Sequence, residues 1–360
     1  MRFGPILRSK RIYPAIQPCY HCAINQTVWR GPLNIKATDL ILRDQVREKD
    51  LEIKVTYPDG AETYPVIVFS HGLLGSKDGY QPLVRYWAEH GYVVIQPTHY
   101  DSASFRKPTL TELRDLTPLF VGWESRPDDI ILILDELNLI ESLLPNFAGK
   151  FDHSRIGMGG HSFGSHTSML IGGAQLSANS FGNCGNVGSI SSATGSGSAP
   201  SNLPRRETAS SRAGMQFRDE RPLAFLLLSP QGSGRALTET ADFNQSAWDD
   251  FERPMMIVTG TEDNGRRKQD YHWRSEAFKY GAPDDKYLMV IEGGYHGFGG
   301  ITGTKFFGSG PANDSHVEWV QLSTLAFFDR YVKGLPAAAR LLTDGELAKV
   351  SGGAVTVSCR

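Results

Sequence analysis

Gly160-His161-Ser162-Phe163-Gly164 stands directly after a predicted strand, Arg155 to Met158, and directly before a run with helical character that starts at about Phe163. Two glycines around one serine at such a junction suit a chain reversal so sharp that a Cβ at either glycine would collide with the adjoining strand or helix. The serine is then held in a strained backbone conformation with its hydroxyl exposed. In a chain with 38 glycines the five-residue pattern has little specificity by itself. Its position between strand and helix supplies that specificity.

The rest of the chain repeats the same alternation. Leu33 to Arg43 and Leu51 to Tyr57 alternate like early antiparallel strands, and Pro58-Asp59-Gly60 provides a turn. Val66-Ile67-Val68-Phe69 is a continuous apolar run, as expected for a strand buried on both faces. A helix through Leu83 to Glu89, a strand Tyr92 to Gln96 and a helix through Asp128 to Leu144 follow. After the serine turn come strands at Leu223 to Leu228, Met255 to Thr259 and Tyr287 to Ile291, then a helix from about His316 to Val332. This order predicts a mostly parallel sheet of roughly eight strands flanked by helices.

The main domain is expected over residues 33–333, with an N-terminal extension at 1–32 and a C-terminal extension at 334–360. Between Ala174 and Pro222 the composition turns to Gly, Ser and Asn, too polar to order itself cheaply. This 175–221 insertion is expected either to drape over the site as a cap carrying Met215 and Phe217 or to form a solvated loop.

With 40% hydrophobic and 21% charged residues the chain has ample material for a large core. A net charge of -2 and a pI of about 6.6 give no footprint for nucleic acid, and neutral substrates are the easier expectation. No apolar stretch reaches the roughly 18 residues of a membrane span. The basic start, Met1 to Arg11, lacks a following apolar segment, so the cytoplasm is favoured, although a trimmed exported chain would look the same. Cys19, Cys22, Cys184 and Cys359 are too few for a disulfide scaffold. The Cys19-Tyr20-His21-Cys22 spacing lacks the second ligand pair of a zinc site and the strand-to-helix context of a redox motif. Oligomeric state is left open.

A serine hydroxyl becomes nucleophilic when a base takes its proton, and that base needs a carboxylate to fix its tautomer. His296 follows the last predicted parallel strand in Gly293-Gly294-Tyr295-His296-Gly297, where small residues let a loop approach the serine. His272 and His316 fall in predicted helices. Asp263 follows Met255 to Gly260 at the carboxyl end of a strand, where such sheets assemble their sites, with the adjacent Glu262 as runner-up. The order Ser162, Asp263, His296 fits α/β-hydrolases. A tetrahedral intermediate also needs two aimed N–H donors, for which the backbones of Phe163 and Leu73 are placed. His71 is expected to fix its loop, and His161 to pack or to shape the pocket. Tyr80, Tyr100, Trp123, Trp248 and Phe298 are candidates for an apolar acyl pocket. Such chemistry requires no metal and no organic cofactor.

The run Val66-Ile67-Val68-Phe69-Ser70-His71-Gly72-Leu73 through His90-Gly91-Tyr92-Val93-Val94 to His99 resembles bacterial predicted dienelactone hydrolases and plasma-type platelet-activating factor acetylhydrolases. The likeness continues through Gly160 to Gly164, Ser229-Pro230-Gln231-Gly232, Thr259 to Asp263 and Gly294-Tyr295-His296. It implies an α/β-hydrolase fold and an esterase or lipase-like activity with Leu73 and Phe163 as oxyanion donors. In the acetylhydrolases the acid follows the strand after the nucleophile. Here that strand ends in Ser229-Pro230, which moves the acid to Asp263, as in bacterial polyester hydrolases and cutinase-like enzymes. True dienelactone hydrolases carry a cysteine where this chain has Ser162. The expected function is therefore hydrolysis of small or short-chain carboxylic esters through an acyl-enzyme. Polyester or lipid-ester hydrolysis, and a non-catalytic binding protein on the same scaffold, are the alternatives.

Overall fold

A computed structural model of the chain describes residues 32–120, 122–177, 217–234, 242–306, 308–343 and 345–360. The expected N-terminal extension, with Cys19 and Cys22, and most of the 175–221 insertion, with Cys184 and Met215, lie outside the described residues. Among the described residues Cys359 is free and exposed, and no helix is long and apolar enough to cross a membrane.

The strands are β1 (Ile35–Asp44), β2 (Lys49–Pro58), β3 (Tyr64–Ser70), β4 (Val93–Pro97), β5 (Phe151–His161), β6 (Pro222–Leu228), β7 (Met255–Gly260), β8 (Lys286–Ile291) and β9 (Val355–Cys359). They form one sheet in the order β1-β2-β4-β3-β5-β6-β7-β8-β9. Strands β4, β3, β5, β6, β7 and β8 run parallel, while β1, β2 and β9 are antiparallel to their neighbours. The helices are α1 (Gln81–Glu89), α2 (Leu110–Arg114), α3 (Ser125–Asp135), α4 (Leu137–Leu143), α5 (Phe163–Ile171), α6 (Tyr271–Arg274), α7 (Glu276–Tyr280), α8 (Asp314–Tyr331), α9 (Arg340–Thr343) and α10 (Glu346–Val350).

Helices cover both faces, so the central strands are apolar throughout instead of alternating. Every residue of β3, β4 and β7 is buried. Within β3 the side chains still part by the two-residue period: Val66 and Val68 join α3 and α5 in one core layer, and Ile67 and Phe69 join α1 and α8 in the other. The outer strand β1, by contrast, keeps an alternating burial pattern.

Three expectations change. The predicted Asp128 to Leu144 helix is two helices that meet at Glu136. The first part is buried on every side, including Arg126, Asp128 and Asp129, whereas the second exposes Leu139 and Leu143, so the two parts meet different surroundings. A ninth strand joins the roughly eight expected, because the tail from 334 onward packs on the sheet: β9 pairs with β8, and Leu341, Leu342, Leu347 and Val355 enter the core. Phe217, expected on either a cap or a solvated loop, is buried edge-on against Trp123.

Candidate active site

The turn between β5 and α5 is as tight as its glycines imply. A Cβ on Gly160 would lie 2.2 Å from the Gly164 carbonyl oxygen, and one on Gly164 would lie 1.9 Å from the Ser70 carbonyl oxygen. Both obstacles are backbone, which cannot swing aside. Gly164→Ala is therefore expected to cost about 3 kcal/mol or more of stability, read as a large drop in Tm; an unchanged Tm would contradict the close approach of α5 to β3. Ser162 sits at φ 53 and ψ -117, a sparsely populated conformation held by the N–H of Ser162 bonded to Leu228 O at 2.8 Å. Ser165 Oγ braces the same turn, donating to the carbonyls of Gly160 and Leu228, each at 2.8 Å. The hydroxyl of Ser162 is part-buried and has no hydrogen-bond partner among the described residues.

The loops after β7 and β8 are pressed together because Gly260 and Gly294 leave no side chains between them. A Cβ on Gly260 would lie 2.2 Å from Gly294 O. Backbone bonds lock the contact, with Glu262 N–H donating to Gly294 O at 3.0 Å and Gly293 N–H to Thr261 Oγ1 at 2.8 Å. This pairing brings His296 to Asp263, the imidazole Nδ1 donating to Asp263 Oδ1 at 2.8 Å. Nε2 of His296 has no partner among the described residues and is the nitrogen left for a proton. It makes no hydrogen bond to Ser162 in this structure, as is common before substrate is bound. Glu262 is exposed and contributes only its backbone.

Asp263 is fully buried and ringed by donors. Thr259 Oγ1 donates to Oδ2 at 3.1 Å, Ser229 Oγ makes a short hydrogen bond to the same oxygen, and Arg274 Nε lies 2.8 Å from Oδ1. Burial alone would raise the acid, but the Arg274 charge, the His296 imidazole and the hydroxyl bonds together hold it well below the usual carboxylate range. Arg274 is fixed in turn by the carbonyls of Ser229 and Pro230 at 3.0 and 3.1 Å. For His296 burial wins over the neighbouring carboxylate, and the imidazole is pushed below its ordinary value of 6.5.

The loop after β3 is held from behind by charged groups. Arg126 and Asp101 form a buried two-point pair, Nε to Oδ1 at 2.9 Å and Nη2 to Oδ2 at 2.8 Å. Arg126 Nη1 donates to His71 O at 2.7 Å, His71 Nδ1 donates to Gly72 O at 2.7 Å, and Asp101 Oδ2 accepts Leu74 N–H at 3.1 Å. The peptide groups on either side of Leu73 are thus taken, while the Leu73 amide has no acceptor among the described residues. The Phe163 amide, at the first turn of α5, is likewise unengaged. Arg126 links the two, its guanidinium lying 4.2 Å over the Phe163 ring.

Behind this loop a second row, Ser70 Oγ to His99 Nε2 and His99 Nδ1 to Asp129 Oδ2, each 2.9 Å, has the residue types of a catalytic triad. All three side chains are wholly buried, so the row braces the sheet and meets no substrate. Among the described residues no group of three or more His, Cys, Asp or Glu is arranged to hold a metal ion.

Four of the aromatic candidates for an acyl pocket, Tyr80, Trp123, Trp248 and Phe298, belong to the core, and Tyr100 is part-buried. Trp248 and Phe298 are fully buried, Trp123 nearly so, and Tyr100 donates its hydroxyl to Leu119 O at 3.1 Å. Tyr80 is buried and bonded through its hydroxyl. The aromatic group beside His296 is instead Phe306, 38% exposed with its ring centroid 5.9 Å from the imidazole, a residue no sequence pattern marks. Arg274, Arg126 and Asp101 are equally unmarked, since they act through contacts between residues far apart in the chain and none belongs to a spaced motif.

A family model described as Chlorophyllase matches residues 24–179, a span that includes the Leu73 loop and the Ser162 turn and ends before Asp263 and His296. This is a different family from those the motifs resemble. No curated protein matches the chain. With six parallel strands and a serine turn after β5 among the described residues, the chain has the fold of the α/β-hydrolase superfamily, and the family match supports a hydrolase of the α/β type acting on esters.

Proposed function

We propose that the chain is a serine carboxylic-ester hydrolase that works through an acyl-enzyme on Ser162. The observation that carries this reading is the part-buried His296 hydrogen-bonded to fully buried Asp263, together with a strained serine whose hydroxyl is unengaged among the described residues. Ser162 Oγ attacks the ester carbonyl carbon as its proton passes to His296 Nε2. The oxygen that gains charge is met by the N–H groups of Leu73 and Phe163. The C–O bond then breaks, and the leaving alkoxide takes the proton from His296. Water repeats the sequence with the acyl group in place of the ester, and Ser162 is regenerated. Asp263 holds Nδ1–H throughout and stabilises the imidazolium.

Small esters are the first substrates of this reading, in accord with a site whose nearby aromatics are mostly core. Exposed Phe306 and Tyr295 next to His296 favour a second reading, in which the acyl or alcohol part is bulky and apolar. Hydrolysis of p-nitrophenyl esters of graded chain length, with an insoluble polyester assayed in parallel, separates the two. Turnover confined to short chains supports the first, turnover rising with length or polymer release the second, and no turnover of any ester overturns both.

The acid limb of the pH profile follows from the site. Because the imidazole is pushed below 6.5, it stays unprotonated, and competent as a base, to more acidic pH than an ordinary histidine. kcat/KM is expected to fall on acidification with an apparent pKa below 6.5. An apparent pKa above 6.5 would contradict the burial of His296.

A further inference from the structure

His161 and Tyr80 remain outside the steps just described, yet they touch the Leu73 loop and the His296 loop, and His161 adjoins Ser162. The Tyr80 hydroxyl accepts the Gly72 N–H at 2.9 Å, one residue before Leu73. The same hydroxyl donates to His161 Nδ1 at 2.9 Å, and His161 Nε2 donates to the backbone carbonyl of His296 at 2.7 Å. His161 directly precedes Ser162 in the chain. The Tyr80 N–H donates to Thr302 O at 3.0 Å, in the same loop as His296. Each group in the row has one role open to it: the hydroxyl has one hydrogen, and a neutral imidazole has one donor and one acceptor nitrogen. Burial, with the nearby His296, pushes His161 down to about 3, so the neutral form holds over the working range. The row is therefore directional, from Gly72 N–H through Tyr80 and His161 to His296 O.

The geometry points to Tyr80 as a positioning residue that, through His161, holds the Leu73 loop and the His296 loop in register around Ser162. Gly72 shows how close the fit is: a Cβ there would lie 3.1 Å from the Tyr80 hydroxyl and 3.3 Å from His161 Nδ1. Tyr80 itself takes φ 62, a conformation unusual for a tyrosine, at the N-terminus of α1. Its ring packs edge-on against Phe69 at 5.0 Å. Phenylalanine can keep that packing and lose only the hydroxyl. Two buried groups, Gly72 N–H and His161 Nδ1, then lose their partner, and the two loops lose their tie.

This role rests on the ester-hydrolase reading, and the test separates the two. Tyr80→Phe is expected to lower kcat for p-nitrophenyl butyrate about 10- to 100-fold with KM changed less than about 3-fold, because the loss falls on charge that develops only in the transition state. The rate of Ser162 phosphonylation by a fluorophosphonate is expected to fall in parallel. His161→Gln, which keeps one acceptor and one donor, is expected to retain more activity than His161→Leu. The Tyr80→Phe and His161→Leu double variant is expected to be no slower than His161→Leu alone. Wild-type kcat and phosphonylation rate in a folded Tyr80→Phe, or effects of the two variants that simply multiply, overturn the positioning role and leave the ester-hydrolase reading standing. No adduct at Ser162 in the wild-type protein overturns that reading and this role together.

Discussion

Ser162→Ala is expected to lower kcat on a p-nitrophenyl ester by about six orders of magnitude, to the limit of detection. Alanine leaves the turn, the amides of Leu73 and Phe163 and the His296 and Asp263 pair in place, so what remains is their stabilisation of direct attack by water. His296→Ala is expected to cost a similar factor, because an unactivated serine hydroxyl is a poor nucleophile. The two losses should not multiply: once one member of a unit is gone, the other has nothing left to do. Steady-state kinetics on the two single variants and the double one check this. A double variant slower than either single by a further large factor would mean that His296 and Ser162 serve different steps.

Asp263→Asn is the second large effect, about four orders of magnitude in kcat. The carboxylate here accepts from His296, Thr259 and Ser229 and also faces Arg274. An amide offers one acceptor atom where the site calls for two. Either the imidazole is forced into the wrong tautomer or the amide nitrogen is set against hydroxyl donors. The same substitution leaves Arg274 buried without its counter-charge, which is expected to lower stability by about 3 to 5 kcal/mol, read by denaturant titration. Glu262→Gln is the matching control. Its side chain is exposed and outside the hydrogen-bonded group, so kcat should stay within about twofold of wild type. A large loss in Glu262→Gln with an active Asp263→Asn would reverse the assignment of the acid.

What was legible in the sequence was what geometry forces on composition. Gly160 and Gly164 are demanded because a Cβ at either would lie about 2 Å from a backbone carbonyl oxygen, and Val66 to Phe69 reads as a covered strand because helices lie on both of its faces. That Asp263 and His296 meet was legible because chain order and strand ends restrict which loops lie together. Gly294 reads in the sequence as a small residue that frees the His296 loop, but its close contact with Gly260 depends on two loops far apart in the chain. The rest depended on contacts between distant residues. Tyr80 and Trp248 are aromatic residues near apolar runs, and nothing local separates one that lines a pocket from one that fills the core. Arg126 and Arg274 look like surface charges in a sequence, yet each is buried because a carboxylate and several carbonyls wait for it. Strand β9 follows two short helices, and only its pairing with β8 distinguishes it from an appended tail.

At the end of β6, Ser229 Oγ bonds to the carboxylate that Asp263 supplies from the loop after β7, so two adjacent strand ends meet at one buried acid.

Labelling with a fluorophosphonate followed by peptide mass spectrometry tests whether Ser162 is the nucleophile of an ester hydrolase. One phosphonyl group per chain is expected, carried on the peptide that contains Ser162, with hydrolysis of p-nitrophenyl esters lost in proportion and no labelling in Ser162→Ala. A phosphonyl group on a different residue, or undiminished ester hydrolysis by the fully labelled protein, would contradict it.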